Sequence, residues 1–558
     1  MGETMDSQTG AKPAVTERFD TVIVGAGFAG LYMLHKIRQV GLSAIVFEAG
    51  SGVGGTWFWN RYPGARCDVD SLEYSYSFDD QIQQEWSWTE RFATQPEILR
   101  YIDHVADRLD LRRDVRLETS VTAAHFDEGR ALWTVTTDRG HTVEAPFCIM
   151  ATGCLSAARA PEIDGMADFG GRVLHTGRWP HEPVDLAGQR IGVIGTGSSG
   201  IQVTPALAAI AGHVTVFQRT PNFSIPARNA PTDRERERAV KAEYPQRRAA
   251  ARETTAGILY DYNDTKALSV SEQERYKAYE ARWAKGGVNF IRTFGDIMLD
   301  KAANDTAADF VRDRIREIVK APEVASKLLP HDHPIGTKRI CVDSNYYATF
   351  NEPHVSLVDL RAEPIVRMTK NGLQTTAAAY PLDALVFATG FDAVTGALGR
   401  IDIRGRNGQK LKDAWAEGPR SYLGLMSAGF PNLLTITGPG SPSILTNVIV
   451  SIEQHVEFIA DLIAHMRRTG ATVVEADEAA QDNWGKHVAE VAAGTLMPLA
   501  NSWYMGANIP GKPRVFLPYA GGFMNYRRIC NEIAADGYRG FSFPVEASRP
   551  VSSSTARR

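Results

Sequence analysis

Short apolar runs that end in glycine-rich turns occur at two places in the chain. The first run, at residues 21–24, leads into GAG and then into apolar residues at helical spacing, Leu31, Leu34 and Ile37. The second run, at residues 191–194, leads into GTGSSG. Continuous apolar runs are typical of strands buried on both faces, and a 3.6-residue period is typical of a helix packed on one side. The pattern predicts two strand–turn–helix units of the α/β class.

The first glycine turn has the spacing Gly25-x-Gly27-x-x-Gly30. The first glycine allows the tight turn, the second lets a pyrophosphate approach the backbone, and the third lets helix and strand pack closely. The helix N-terminus then faces the phosphates. A second apolar strand ends at Glu48, at about the distance from the turn expected of an acid that binds a ribose hydroxyl. These features predict a dinucleotide site.

The second glycine turn begins at Gly195 and is followed by the apolar strand HVTVF. The position equivalent to Glu48 is here Gln218, and Arg219 and Thr220 follow it. An acid would repel a 2′-phosphate, whereas an arginine can bind it with two hydrogen bonds. The second site is therefore predicted to prefer NADPH over NADH.

Two similar strands that end in ATG, at residues 147–154 and 382–392, would carry the chain between domains. The predicted fold is α/β, with two Rossmann-like dinucleotide-binding domains, the second inserted in the first. Helical, charged segments with i,i+4 pairs such as Glu237 and Lys241 predict a helical insertion whose charges face solvent. The predicted boundaries are a disordered tail at 1–17, the first domain at 18–154 and 385–546, the second domain at 155–222 and 331–384, the helical insertion at 223–330, and a disordered tail at 547–558.

Composition excludes several classes of protein. The 558 residues carry a net charge of −4, which gives no basic surplus for nucleic acid. No apolar run reaches the ~18 residues of a membrane span, and the polar N-terminal segment lacks the apolar core of a secretion signal. The five cysteines are odd in number and have no CxxC spacing, so neither disulfides nor a metal site is expected. We expect a cytoplasmic protein without an obligate protein partner.

The stretch just ahead of the second glycine turn reads Phe169-x-Gly171-x-x-x-His175-x-x-x-Trp179-Pro180. It is similar, residue for residue, to the fingerprint of the type I Baeyer–Villiger monooxygenases, flavoenzymes that turn ketones into esters or lactones. In that family the fingerprint lies at the hinge between the two domains. The resemblance therefore implies a structural or conformational role for His175, and not acid–base catalysis.

A second stretch, GGTWFWNRYPGARCD at residues 54–68, resembles another pattern of the same family. The resemblance runs from about residue 18 to about residue 545, and it is greatest to the enzymes acting on phenylacetone and steroids. It implies FAD in the first site and NADPH in the second. It also implies that one oxygen atom of O2 is inserted next to a ketone carbonyl, through a C4a-peroxyflavin and a tetrahedral (Criegee) intermediate.

The resemblance further assigns contact residues by their position in the sequence. Those for FAD are Gly25, Gly27, Gly30, Glu48, Thr56, Trp57, Phe58, Trp59, Asp68, Val69, Tyr74 and Val448. Those for NADP are Arg66, Cys67, Asp68, Thr196, Gly197, Ser198, Ser199, Gly200, Ile201, Gln202, Arg219, Thr220, Lys338, Arg339 and Trp503. The ketone pocket is assigned to Cys154, Ser443, Ile444 and Leu445.

Arg339 is the candidate catalytic residue, and Asp68 would pair with it and orient it. By resemblance, Arg339 is the active-site arginine of the family, and the adjacent Lys338 would join Arg219 on the 2′-phosphate. Attack of an anionic oxygen donor on a ketone produces an oxyanion. A fixed guanidinium stabilises both negative species, by about 3–4 kcal/mol per donor. From the residues alone, Arg339 could equally form a surface salt bridge.

Three other interpretations remain open at this point. Related flavin monooxygenases that oxidise sulfur or nitrogen in small molecules share two glycine turns, but they lack the Trp-Pro ending and an arginine matching Arg339. Pyridine nucleotide–disulfide reductases need a CxxC pair, which this sequence lacks. A redox-sensing binding protein would show flavin reduction without turnover.

Overall fold

The computed structural model describes residues 16–544. The tails predicted at 1–17 and 547–558 lie outside this range, except for residues 16 and 17. Glu17 belongs to a short strand, Glu17–Arg18, that pairs in parallel with strand Thr142–Ala145. Among the helices of the described range, none combines the length and the apolar character needed to cross a membrane.

The first glycine turn lies at the carboxyl end of a five-stranded parallel sheet. Its central strands are buried along their whole length, as the continuous apolar runs predict. Helix Phe28–Gln39 follows the turn. One edge strand comes from late in the sequence, so the chain returns to this sheet after building the second one. The strands in spatial order are Leu433–Thr435, Phe147–Met150, Thr21–Val24, Ala44–Phe47 and Val115–Arg116.

The second glycine turn belongs to a second five-stranded parallel sheet. Helix Ser198–Ala208 follows the turn, in the same relation to its strand as in the first unit. The strands in spatial order are Val355–Asp359, His213–Gln218, Arg190–Ile194, Ala384–Phe387 and Arg172–His175. The α/β class with two Rossmann-like units, the second built between segments of the first, is confirmed.

Backbone geometry requires two of the glycines in each turn. Gly25 has a φ of 104°, which residues with a side chain rarely adopt. A Cβ added at Gly30 would lie 1.8 Å from the Gly25 carbonyl oxygen, so the helix can approach the strand only without a side chain there. The second turn repeats this geometry: Gly195 has a φ of 114°, and a Cβ added at Gly200 would lie 2.0 Å from the Gly195 carbonyl oxygen.

A β-layer covers one face of each parallel sheet. Trp133 and Val135 of one layer pack on Val22 and Phe47 of the first sheet. The smaller layer packs on the second sheet through Met368. The mixed sheet on the first domain has the order Glu17–Arg18, Thr142–Ala145, Leu132–Thr137, Val121–Asp127 and Asp402–Arg404. The antiparallel sheet on the second domain consists of Ile365–Thr369, Gly372–Thr375 and Ala379–Pro381.

The chain between strands His213–Gln218 and Val355–Asp359 of the second sheet contains the predicted insertion, which is mainly helical. The part of the insertion from Ala267 onward shares a core with that sheet, and buried aromatic rings, among them Tyr279, Phe290 and Phe310, hold it together. At the two ends of the insertion, strand Ser224–Pro226 pairs in parallel with strand Cys341–Asp343. The helices are Arg234–Ala242, Tyr244–Arg252, Glu272–Lys285, Lys301–Ile318 and Pro322–Leu328.

The expectation that the Glu237–Lys241 pair faces solvent is wrong. Glu237 is 3% exposed and Lys241 is 7% exposed, and their charged atoms lie 3.5 Å apart. The Lys241 ammonium donates to the carbonyl oxygens of Gln84, at 3.0 Å, and Trp86, at 2.5 Å. The pair is buried because helix Arg234–Ala242 packs on the first domain, a long-range contact that helical spacing does not reveal.

The C-terminal part of the described chain adds three long helices to the first domain. The first of them packs against helix Phe28–Gln39. They are Val448–Thr469, Glu478–Ala493 and Phe523–Ala535. The remaining α-helices are Thr56–Trp59, Asp80–Glu85, Gln95–Arg108, Tyr346–Thr349 and Leu411–Ala414, and the last strand pair is Glu475–Ala476 with Phe541–Ser542.

We predict that Gly30→Ala lowers the free energy of unfolding, because the new Cβ would overlap the Gly25 carbonyl oxygen. Overpacking of this kind costs about 1–3 kcal/mol, and thermal unfolding measures it. Gly485→Ala is the control, since an added Cβ there meets no atom within 4 Å and the site lies inside helix Glu478–Ala493. Alanine at 485 should be neutral or stabilise by up to about 1 kcal/mol. Equal stability of the two variants would contradict the packing argument.

Candidate active site

A cleft of about 1780 Å³ lies between the carboxyl ends of the two parallel sheets. Ligands bind at this end of α/β sheets because helix N-termini and loop side chains converge there. The volume exceeds the ~300–1,000 Å³ of a usual ligand pocket and therefore suits two dinucleotides. Most of the residues assigned from the sequence line it: Gly25, Gly27, Glu48, Thr56, Trp57, Trp59, Arg66, Cys67, Asp68, Val69, Tyr74, Cys154, Thr196, Gly197, Ser198, Ser199, Gln202, Arg219, Thr220, Lys338, Arg339, Ser443, Ile444, Val448 and Trp503.

At the first turn, the buried Glu48 carboxylate accepts one backbone N–H on each oxygen. Ala26 donates to Oε2 at 2.7 Å, and Gly50 donates to Oε1 at 2.8 Å. Burial raises the pKa of Glu48, and the two N–H groups oppose the rise. Each carboxylate oxygen can accept a further hydrogen bond, and Glu48 lines the cleft. The turn and its acid therefore fit the ribose and pyrophosphate of a dinucleotide.

An aromatic wall follows this acid in the sequence. Gly54 and Gly55 have positive φ angles, of 129° and 54°, and they turn the chain into helix Thr56–Trp59. The indole Nε1 of Trp57 donates to the hydroxyl of Tyr74 at 3.1 Å, and the two rings meet edge to face. This rigid wall beside the glycine turn fits a flat ring system such as a flavin.

The Arg339 guanidinium and the Asp68 carboxylate form a bidentate ion pair in the cleft wall. Arg339 Nε lies 3.0 Å from Asp68 Oδ2, and Nη2 lies 2.8 Å from Oδ1 and 2.7 Å from Oδ2. Nη1 donates to the Ile444 carbonyl at 3.1 Å. The Arg339 side chain is 28% exposed and that of Asp68 is 23% exposed. Asp68 raises the pKa of Arg339, which keeps the guanidinium charged.

Backbone hydrogen bonds fix both partners of this ion pair. The loop that carries Asp68 is held by the Cys67 N–H, which donates to the Ala93 carbonyl at 3.1 Å. Arg339 lies two residues before strand Cys341–Asp343, which closes the helical insertion. The pair therefore joins the first domain to the end of the insertion.

Tyr504, which the sequence analysis did not single out, lies against Arg339. It is 2% exposed, and burial raises the pKa of Tyr504 to about 12, although Arg339 opposes the rise. The phenol is therefore neutral beside the guanidinium. Its neighbour Trp503 lines the cleft, with ring centroids 4.5 Å apart. The adjacency to Trp503 was the one signal in the sequence that could have indicated Tyr504.

Gln202 lies in helix Ser198–Ala208, which follows the second glycine turn, and its side chain forms hydrogen bonds to the first domain. Its Oε1 accepts from the Tyr62 hydroxyl at 2.8 Å, and its Nε2 donates to the Arg66 carbonyl at 3.1 Å. Arg66 in turn pairs with Glu90 at 2.9 Å. Gln202 and Arg66, both assigned to NADP, thus also fix the second glycine turn relative to the loop that carries Asp68.

Four charged residues meet at the carboxyl end of the second sheet, and we call them the phosphate cluster: Arg219, Asp332, Lys338 and Arg361. The sequence analysis assigned Arg219 and Lys338 and missed the other two. Burial lowers the pKa of Lys338, and the nearby cations Arg361 and Arg219 lower it further, whereas Asp332 raises it. The Thr196 hydroxyl beside the cluster donates to the Thr220 carbonyl at 2.6 Å. The cationic surplus fits a phosphate group.

The residues assigned to the ketone pocket adjoin the ion pair. The Cys154 thiol donates to the Thr437 carbonyl at 3.1 Å and lies 3.7 Å from the Ser443 hydroxyl. Burial raises the pKa of Cys154, so the thiol is protonated at neutral pH and is a weak nucleophile. Ile444, next to Ser443, supplies the carbonyl that Arg339 binds.

The fingerprint residues lie outside the lining of the cleft. The His175 Nδ1 accepts the Gly177 N–H at 2.9 Å, which leaves Nε2 to donate to the Arg159 carbonyl at 3.0 Å. Burial lowers the pKa of His175, so the ring is neutral. Trp179 is buried as well, at 6% exposure. The structural role of the fingerprint stays a prediction. It applies to all five fingerprint residues, including Phe169, Gly171 and Pro180.

Five further assigned residues do not reach the cleft lining: Gly30, Phe58, Gly200, Ile201 and Leu445. Gly30 and Gly200 lie behind their turns, where they allow close packing. Phe58 packs its ring on neighbouring backbone, and Ile201 is fully buried in the core of the second domain. Leu445 packs beside Ile444 in an apolar cluster.

A family model described as "Pyridine nucleotide-disulphide oxidoreductase" matches residues 22–277. Within that match lie both glycine turns. All five cysteines of the chain are free. The chain therefore shares the nucleotide-binding region of that broad family without the paired thiols of a disulfide reductase.

Relatives that match over nearly the whole chain identify a narrower family. A Baeyer–Villiger monooxygenase from Pseudooceanicola batsensis is 44% identical over 96% of this chain and 98% of its own length. A phenazine N-monooxygenase from Lysobacter antibioticus is 42% identical over 96% of this chain and 98% of its own length. The solved structure of an oxidized steroid monooxygenase bound to NADP is 52% identical, with a TM-score of 0.90, over 94% of this chain and 99% of that one. The chain therefore belongs to the Baeyer–Villiger monooxygenase family.

Proposed function

We propose that the protein uses FAD and NADPH to insert one oxygen atom of O2 next to the carbonyl group of a ketone, giving an ester or a lactone. The observation that carries this proposal is the Arg339–Asp68 ion pair in a cleft lined by both glycine turns. We further propose that the enzyme is cytoplasmic and needs no obligate protein partner, as the sequence predicts.

FAD would lie along the first glycine turn and the aromatic wall, and NADPH along the second turn with its 2′-phosphate at the phosphate cluster. FAD bound there would supply the activation of O2, with electrons from NADPH. The side chains of the protein bind and orient the reactants and stabilise charge. Glu48 would accept from a ribose hydroxyl, and the N-termini of helices Phe28–Gln39 and Ser198–Ala208 would face the phosphates.

Arg339 would stabilise the oxyanion that forms when the carbonyl carbon is attacked. Its guanidinium makes four hydrogen-bond contacts to Asp68 and Ile444 and lines the cleft, where a ligand could approach it. Because Asp68 already fixes the guanidinium, little reorganisation is needed at the moment of reaction. The positive charge cannot be lost to a basic oxygen species, since arginine does not deprotonate in proteins.

The remaining surroundings favour a neutral substrate. Arg339 and Asp68 together carry no net charge. Apolar residues contribute to the lining of the same cleft, among them Val69, Ile444, Val448 and Ile452. An uncharged ketone could bury its hydrocarbon part against these side chains while its carbonyl oxygen meets the guanidinium.

We predict that the FAD-loaded protein consumes NADPH in the presence of at least some linear, aryl, cyclic or steroid ketones and forms the corresponding ester or lactone. Gas chromatography with mass spectrometry, run under 18O2, should show one labelled oxygen atom per product. A sulfide and an aromatic amine belong in the same panel, because one relative is an N-monooxygenase. Oxidation of these alone, with every ketone unchanged, would favour the sulfur or nitrogen alternative.

Arg339→Ala should separate the two half-reactions. Reduction of the flavin by NADPH should persist, whereas ester formation should fall by about 10²–10³, the usual effect of losing an oxyanion donor. NADPH oxidation would then release hydrogen peroxide. Stopped-flow reduction and product analysis on one preparation measure both steps.

Arg38→Ala is the matched control for this variant. Arg38 is 19% exposed and binds the Asp114 carboxylate through its guanidinium, but it does not line the cleft. Its loss should leave ester formation unchanged. Near-parental ester formation by Arg339→Ala would remove Arg339 from the proposed mechanism.

Arg219→Ala should reduce the preference for NADPH over NADH. The variant loses a charged contact to the 2′-phosphate, worth about 1.5–3 kcal/mol, whereas NADH has no such group. Michaelis constants for both cofactors give the ratio. An unchanged ratio would show that Arg219 does not bind the phosphate.

A further inference from the structure

Arg361 is the member of the phosphate cluster that follows a strand outside the glycine pattern. It lies two residues after strand Val355–Asp359, which is the parallel neighbour of strand His213–Gln218. Since the carboxyl ends of parallel neighbours meet at one edge of a sheet, Arg361 and Arg219 come to the same place. Arg361 Nη2 lies 3.3 Å from the Thr220 hydroxyl, and Arg361 lines the cleft.

Asp332 is the centre of the cluster. Its Oδ2 lies 2.7 Å from Arg361 Nη2 and 4.0 Å from Lys338 Nζ, and its Oδ1 lies 2.7 Å from His333 Nδ1. Burial alone would raise the pKa of Asp332, but hydrogen bonds from His333 and Arg361 and the charge of Lys338 lower it. The carboxylate is therefore ionised and holds both cations in position.

The charge of the cluster matches one phosphate. Arg219, Lys338 and Arg361 contribute three positive charges, and Asp332 contributes one negative charge, which leaves a net charge of +2. Burial lowers the pKa of His333, so that ring adds no charge at neutral pH. A phosphate monoester carries about −1.5 to −2 at pH 7. Without Arg361, the net charge of the cluster would be +1.

The ion pair of Arg361 with Asp332 is expected to contribute little to the stability of the fold. The Arg361 side chain is 52% exposed, and exposed ion pairs contribute about 0–1 kcal/mol. We propose that Arg361 is a third cationic contact to the 2′-phosphate of NADPH, beside Arg219 and Lys338, and that Asp332 is the residue that positions it. This inference rests on the proposed use of NADPH.

The test isolates the phosphate with two fragments, 2′,5′-ADP and 5′-AMP, which differ in the 2′-phosphate. Calorimetry on the FAD-loaded full chain gives the affinity for each. The parent should bind 2′,5′-ADP more tightly, and Arg361→Ala should weaken that binding by about ten- to a hundredfold while leaving 5′-AMP unchanged. Arg361→Lys should recover part of the loss, since it restores the charge but not the two-pronged geometry.

Arg190→Ala is the matched control. Arg190 is 50% exposed and pairs with Asp383 at 2.7 Å, as Arg361 does with Asp332, but it begins its strand at the opposite end of the second sheet. Its loss should change neither affinity. The proposal is overturned if Arg361→Ala binds 2′,5′-ADP like the parent, or if it loses both fragments equally. Fragment binding requires no oxygenation, so ester formation by the parent tests the proposed function separately.

Discussion

The ion pair between Asp68 and Arg339 joins two segments that lie 271 residues apart in the sequence. One partner comes from a loop of the first domain, and the other comes from the segment that ends the helical insertion. The two side chains are about a quarter exposed and meet in bidentate geometry. Its importance is geometric, because an oxyanion is stabilised most by a charge that is already in place. The two sheets, their glycine turns and the insertion together fix the position of this charge.

Local features of the sequence predicted the parts of the fold that depend on neighbouring residues. Gly25 and Gly30 are required by a backbone angle and by a contact within six residues, so a short pattern reveals them. The same holds for Glu48, whose place follows from the length of one strand–helix–strand unit. The predicted preference for NADPH likewise rests on the residue at the end of one strand, Arg219.

Long-range contacts account for what the sequence did not reveal. Arg361 and Asp332 meet through sheet order and loop geometry, and neither lies in a recognisable motif. The charges of Glu237 and Lys241 are buried because a helix of the insertion packs on the first domain. For Arg339, the residues alone could not distinguish a catalytic cation from a surface salt bridge. The family resemblance singled it out together with its partner Asp68, and the structure shows the two side chains paired.

The adjacency of Lys338 and Arg339 would link recognition of the cofactor to stabilisation of the oxyanion, the roles that we propose for the two residues. Lys338 belongs to the phosphate cluster, and Arg339 binds Asp68, so one short backbone segment would serve both tasks. Strand Cys341–Asp343, which follows directly, anchors that segment to Ser224–Pro226 at the other end of the insertion. A cofactor that carries the 2′-phosphate would hold the segment from one side while Asp68 holds it from the other. NADH would lack this additional contact to Lys338, so we infer that the phosphate also helps to keep Arg339 in place for oxygen insertion.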